Sequence, residues 1–295
     1  MTAVAETTVR SLTRDLIALT KPRIISLLLV TTIAPMFVAG HPSWTLVLGV
    51  FVGGYLMAGG ANAVNMYMDR DIDDRMSRTR LRPIPSGRMQ PREVLAFGVL
   101  LSTTATWLFA VVANVLTAAL ALAGVYFYVF IYTRWLKRST PQNIVIGGAA
   151  GAFPPLVGWA AVTNRVDLVA VYLFLIVFYW TPPHFWALAL LKQKDYGRAG
   201  VPMAPLVWGE TETKRQMLWY TAILIPLTLL PYVFNALGPI YLGCAILLGG
   251  KFLYEVVRVV RTTDWNKPAW RLYKFSLLYL ALLFAAMVVD RGLLA

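Results

Sequence analysis

Six stretches of the chain carry no charged residue: 24–68, 94–133, 139–164, 168–191, 216–250 and 275–289. A bilayer crossing takes about 20 consecutive apolar residues, or about 30 Å of helix. Backbone amides in hydrocarbon must all be paired, and a continuous apolar run of this length pairs them as a helix, since barrel strands are shorter and alternate. The longer runs hold two helices each. Gly40-His41-Pro42 divides the first, Asn114 the second, and the segment from Asn235 to Pro239 the fifth. The spacing predicts nine helices, near 22–40, 43–68, 93–112, 115–135, 142–162, 168–191, 216–235, 239–260 and 272–290. The last falls short of a full span unless Tyr273 and Lys274 sit at the interface.

Composition supports an all-α membrane bundle. Of the 295 residues 58% are hydrophobic and 14% charged, against about 25% charged in a soluble domain. The expected organisation is one transmembrane domain over 1–295. The lone cysteine, Cys244, lies within an apolar run and reads as a small packing residue; it excludes an intrachain disulfide, a CxxC pair and a CxxCH haem attachment. No short apolar segment with a small-residue cleavage site follows Arg10, Arg14 and Asp15, so the first run is expected to be a retained span.

Charge orients the bundle. With residues 1–20 inside, every one of the 27 lysines and arginines except Arg165 and Arg291 falls on the inner side. The positive-inside rule then predicts the N-terminus in the cytoplasm and the C-terminus outside. The net charge of +13 is the sum of that asymmetry, and no basic soluble domain exists to bind nucleic acid. Outer connections are short, whereas the inner ones at 69–92 and 192–215 are long. Elaborate loops on a rigid scaffold carry function, so chemistry is expected at the cytoplasmic edge.

The first inner loop opens with NMYMDRDIDDRMSRTRLRP, residues 65–83. Asn65, Asp69 and Asp73 recur every four residues, which on a helix keeps them within about 80° of one face. Three oxygen ligands on one stripe suit a hard cation such as Mg²⁺, which keeps several waters and favours carboxylates together with phosphates. Arg75, Arg78 and Arg82 would repel a bare cation; they make sense if a diphosphate arrives with it. A solvated basic loop would explain the arginines alone. It does not explain Asn65 inside an uncharged run, where polar groups are costly, nor Asp71 and Asp74.

The second inner loop follows YWTPPHFWALALLKQKDYGRAGVPM, residues 179–203. Asp195 follows the sixth helix as Asp69 follows the second. His184 lies about two turns into the membrane side, where an imidazole can bind iron, accept a proton or satisfy a carbonyl. The other histidine, His41, reads as an outer-turn residue. A third cluster, YTRWLKRSTPQN at 132–143, closes the fourth helix on the same side, and Lys137 and Arg138 there add positive charge for a diphosphate or simply mark topology.

Together these clusters resemble the UbiA-type intramembrane prenyltransferases, and within them the haem-farnesylating branch. The likeness runs through most of the chain: LTKPRI at 19–24, the 65–83 stretch, YTRWLKRSTPQNIVIGGAAGAFPPLVGW at 132–159, PPHFWALALLKQKDYGRAGVPM at 182–203 and WRLYKFSLLYLALLFAAMVVD at 270–290. Pro183-His184-Phe185 with Asp195-Tyr196 narrows it to the haem branch. The resemblance implies nine helices around a cavity open to lipid. It implies transfer of farnesyl from farnesyl diphosphate to a vinyl group of haem B, with water addition, giving haem O and diphosphate. Mg²⁺ assists, as the complex with the diphosphate. By position Asn65, Asp69 and Asp73 match the metal-dependent site, Arg78 and Arg82 its anion clamps, and Lys137 and Arg138 its helpers. Many relatives carry a second DxxxD at the later loop. Here Leu191 stands four before Asp195, so only Asp195 can serve, and Lys192 and Lys194 take part of the charge neutralisation. His184 would ligate haem iron or position the porphyrin.

Tyr126, Phe127, Phe130, Phe153, Trp159, Phe178, Trp180 and Trp186 are candidates to line an isoprenoid cavity, where a ring face would stabilise an allylic cation. The implied partners are the bilayer, haem A synthase and terminal-oxidase assembly factors, with no nucleic acid. The absence of an Arg/Ser-rich leader favours a bacterial plasma membrane. A quinone precursor or a chlorin is the alternative acceptor. A transporter would place ionisable groups at mid-bilayer, whereas here they gather at one edge.

Overall fold

The computed structural model describes residues 12–294; residues 1–11 of the expected inner segment, Arg10 included, lie outside the described residues. Among the described residues nine helices are long and apolar enough to cross a membrane: α1 (Pro22–Ala39), α2 (Trp44–Met68), α3 (Pro91–Val112), α4 (Val115–Ser139), α5 (Asn143–Thr163), α6 (Leu168–Leu191), α7 (Glu210–Val233), α8 (Pro239–Arg261) and α9 (Asn266–Leu293). Successive helices pack side by side and α9 returns against α1, closing the bundle; α1 also crosses α5, and α6 meets α9.

Local chemistry sets the helix ends. Pro22, Pro91 and Pro239 occupy first-turn positions, where the missing N–H costs nothing. Ser43 and Asn114 accept the amides of Leu46 and Thr117 at the starts of α2 and α4. At the start of α8 the caps come from another helix: buried Asp290 on α9 accepts the amides of Gly238 and Tyr241. Thr32, Thr181 and Thr221 return their hydroxyls to carbonyls four residues back, which removes the cost of a buried hydroxyl.

Glycine permits the tightest crossings. A Cβ on Gly60 would lie 2.6 Å from the Gly98 carbonyl oxygen, so α2 and α3 meet backbone to backbone. At Gly158 it would come within 1.8 Å of the Thr32 carbonyl oxygen, where α1 crosses α5. Small residues supply such contacts where lipid gives no hydrophobic push between helices. The largest apolar core joins α6 to α9 around Trp186, Tyr241, Phe252 and Phe284; a second lies among α1 to α5 around Met36 and Phe109. Trp107, Val111, Leu247 and Leu278 point outward.

Two helix starts differ from the sequence reading by more than a turn. α7 begins at Glu210, before the expected 216, because Gly209 at φ +82° ends the loop and Glu210 and Glu212 suit a helix N-terminus. α9 begins at Asn266 and is a full span; Trp265 anchors its start by donating to Glu210. Neither inner loop is irregular throughout: short helices occupy Arg70–Arg75, Gln193–Arg198 and Ala204–Val207.

Candidate active site

The edge bearing both long loops gathers the buried carboxylates Asp69, Asp73 and Asp195. Asn65, Asp69 and Asp73 are 4%, 1% and 2% exposed. Although α2 ends at Met68, the backbone ladder continues: the Asp69 amide donates to the Asn65 carbonyl at 2.9 Å and the Asp73 amide to the Asp69 carbonyl at 2.8 Å. The three side chains therefore keep the four-residue spacing of one stripe.

Each is held by a different partner. The Asn65 amide donates to Asp69 Oδ2 at 2.8 Å and to Thr133 Oγ1 at 3.1 Å, while its oxygen accepts from Lys21 Nζ at 3.0 Å. Lys137 is ion-paired with Asp69. Arg138 reaches Asp69 at 3.7 Å and pairs bidentately with Asp71 at 2.7 and 2.8 Å. Hydrogen bonds from Arg138 hold the Asp71 carboxyl at about 2, despite an opposing desolvation. Arg82 binds both oxygens of Asp73 at 2.7 and 2.8 Å. Lys21, Arg82, Lys137 and Arg138 thus surround two buried carboxylates, a cationic surplus that calls for an anion.

The second loop docks on the first. Ser77 donates to Asp195 at 2.8 and 3.0 Å, Arg198 pairs with the same carboxylate, and Arg78 lies over the Tyr196 ring at 5.6 Å and near its hydroxyl at 3.4 Å. Asp195 nonetheless does not join Asp69 and Asp73: among the described residues no three carboxylate, imidazole or thiol groups converge as a metal cage. The expected four-residue ligand set is therefore not assembled, because Asp195 is already neutralised by Ser77 and Arg198. Arg75 and Lys194 are exposed, and with Lys192 they make no side-chain hydrogen bond or ion pair among the described residues, so these three expected diphosphate contacts are not drawn to the carboxylates.

Lys21 and Thr133 are site residues that the sequence reading missed. Lys21 holds φ +56° ahead of Pro22, a left-handed bend that aims its amine at Asn62 and Asn65. Thr133 belongs to a π-helical stretch, Phe127–Leu136, and donates to the carbonyl five residues back, that of Tyr128, at 2.8 Å. π turns cluster at functional sites; this one carries Thr133 to Asn65 within the same helix that places Lys137 at Asp69.

Farther into the bundle His184, 5% exposed, lies flat between Trp180 and Tyr273, with ring centroids at 4.4 and 4.9 Å. Its Nδ1 is 2.6 Å from Ser276 Oγ. Of the aromatic candidates, Tyr126 and Phe130 face outward, and Trp159 donates to Asp167 at the opposite edge; these three do not line a cavity near the carboxylates. A depression of about 340 Å³ lies beside the carboxylates, lined by Tyr67, Arg70, Asp71, Arg134 and Arg138.

The fold and site define a class: polytopic helical membrane proteins with buried carboxylates ringed by cations at one edge of the bundle. The profile of the UbiA prenyltransferase family matches residues 27–284, and the chain belongs to that family. It is 56% identical over 97% of its length to a protein of Roseiflexus castenholzii named protoheme IX farnesyltransferase, and covers 54% of that protein. It is 53% identical to the protein of that name from Symbiobacterium thermophilum, covering 94% of each. The chain spans about half the length of several curated relatives it matches. Its fold is similar to a digeranylgeranylglyceryl phosphate synthase structure, with TM-score 0.74, 18% identity and coverage of 94% and 98%. A UbiA homologue from Archaeoglobus fulgidus bound to DMAPP and Mg²⁺ gives TM-score 0.67 at 16% identity, covering 93% and 99%.

The residues present fit Mg²⁺. Among the described residues Asp69 Oδ1 is buried with no hydrogen-bond partner, and Asp73 and the Asn65 amide lie on the same stripe. Two carboxylates and one amide leave room for water and phosphate oxygens, the shell this ion favours.

Proposed function

We propose that the chain transfers a farnesyl group from farnesyl diphosphate to a vinyl group of haem B, with addition of water, giving haem O and diphosphate. The observation that carries the reading is the Asp69–Asp73 pair, buried at the helix ends and ringed by Lys21, Arg82, Lys137 and Arg138. The names of the most similar relatives support haem B as acceptor and farnesyl as donor.

Asn65, Asp69 and Asp73 would hold Mg²⁺, while Asp195 stays with Ser77 and Arg198 and ties the second loop to the first. When bound, the ion supplies Lewis-acid charge to the departing diphosphate. Arg82 and Lys137, now paired with Asp73 and Asp69, would bind diphosphate oxygens, and Arg78 beside Tyr196 would join them. The allylic C–O bond breaks and its electron pair leaves with the diphosphate, where these cations stabilise the growing negative charge. The vinyl π electrons form the new C–C bond to the farnesyl carbon. The resulting cation, conjugated to the porphyrin, takes up water and releases a proton. No strong general base is required.

The charge asymmetry supports a reaction at the cytoplasmic face, in what we read as a bacterial plasma membrane. An assay of the purified chain with haem B, farnesyl diphosphate and Mg²⁺ tests the reading. Product is expected from the wild type, and Asp69→Ala or Asp73→Ala should lower turnover by about 10²-fold or more while the helical spectrum is kept. Product from an aromatic acid in place of haem B would move the assignment to a quinone precursor. Full activity in both variants would remove the site.

A further inference from the structure

The hydroxyl of Ser276 has one proton and spends it within α9: Oγ donates to the Tyr273 carbonyl at 2.7 Å. Toward His184 it presents only lone pairs, yet it stands 2.6 Å from Nδ1. A hydrogen bond that short needs a proton between the two atoms, so Nδ1 must carry it. A neutral imidazole with Nδ1–H has an unprotonated Nε2. Among the described residues Nε2 has no hydrogen-bond partner.

The arrangement is built from both helices. Trp180, one turn before His184 on α6, stacks on the imidazole and donates Nε1 to the Ser276 carbonyl at 2.9 Å. Tyr273, one turn before Ser276 on α9, covers the other face. Ser276 is fully buried, so solvent water cannot replace it as the acceptor. A histidine needed only for packing has no use for a dedicated acceptor on one nitrogen and a bare lone pair on the other. Histidines that bind metals show this pattern: the far nitrogen donates to a fixed acceptor, which sets the tautomer and raises the basicity of the ligating nitrogen.

We propose that Ser276 is the positioning residue that locks His184 in the Nδ1–H tautomer, so that Nε2 faces the iron of a haem substrate as a ready ligand. The inference rests on the haem reading above and deepens it: iron ligation orients the porphyrin, and α9 becomes part of the acceptor site. Ser276 itself touches no substrate.

The test reads the iron–histidine bond directly. The full chain is purified in detergent, loaded with ferrous haem B, and the iron–histidine stretch is recorded by resonance Raman, with haem affinity measured by Soret titration. The wild type should give the band. Ser276→Ala should shift it to lower frequency and weaken haem binding by about 10- to 100-fold, the usual effect of losing such an outer partner. Ser276→Thr, which keeps the hydroxyl, should restore both. If the alanine variant does not fold, Ser276→Cys, a weak acceptor, should give an intermediate shift. His184→Ala should abolish the band. A band that survives in His184→Ala overturns the iron-ligand reading itself. Loss in His184→Ala with no shift in Ser276→Ala or Ser276→Cys overturns the role of Ser276 alone.

Discussion

At the scale of single residues, the carboxylate stripe and its cations Arg82, Lys137 and Arg138 were legible, whereas Lys21 and Thr133 were not. Asn65, Asp69 and Asp73 announce themselves because a four-residue spacing converts directly into one helix face. Lys21 lies 44 residues earlier, and only the fold brings it to Asn65. Ser276 reads as an ordinary polar residue in a span until α6 packs against α9. Lys21 also carries a measurable signature. Burial, and then repulsion from Arg82, push its amine down from 10.5 to about 7, against a smaller pull from Asp73. A depressed lysine binds its proton less readily folded than unfolded, so the unfolded chain holds more protons between those two values and stability must rise with pH there. The melting temperature of the purified protein should climb as pH rises from 7 toward 10. Lys21→Gln should flatten that part of the profile. An unchanged slope in the variant would mean that Lys21 stays charged in the fold.

At the scale of elements, nine spans follow from run length and breaks, and the long helix starts were what the runs hid. Lys267, Arg271 and Lys274 interrupt apolarity in the first turns of α9, so an apolar count begins too late. The π-helical stretch of α4 leaves no mark in the sequence, since its aromatic and apolar residues, with Thr133 and Arg134, would end an ordinary span whichever way the turn winds. Its consequence is specific. An extra residue per turn lets Thr133 bond the Tyr128 carbonyl while still accepting from Asn65. Thr133→Val keeps the branched shape and removes the oxygen. It leaves a buried Asn65 N–H with one acceptor fewer, at a cost of about 1–3 kcal/mol. The expected result is a melting temperature lower by a few degrees and reduced turnover from a loosened Asn65, with Thr133→Ser close to wild type in both. Equal losses in the valine and serine variants would trace the effect to packing and leave the hydroxyl without a role.

At the scale of the molecule, one asymmetry organises everything else. Cations crowd the edge where 69–92 meets 192–215, and the two loops are joined there by Ser77–Asp195 and Arg78–Tyr196. The opposite edge holds short turns and little charge beyond Arg165, Asp167, Asp290 and Arg291. If the lysines and arginines that would retain a loop in the cytoplasm during insertion are also the proposed anion clamp, topology and chemistry cannot be varied separately. If the charge pattern sets the orientation, the site must open to the compartment where isoprenoid diphosphates are made. Cys244 is the only native thiol, which makes labelling simple. In a Cys244→Ala background, Arg165→Cys should react with a membrane-impermeant maleimide in intact cells, and Ser86→Cys only after permeabilisation. Both positions are exposed loop residues, so access to reagent depends on the side of the membrane alone. The reverse labelling pattern would put the diphosphate site outside, away from its substrate, and would break the link between charge placement and catalysis.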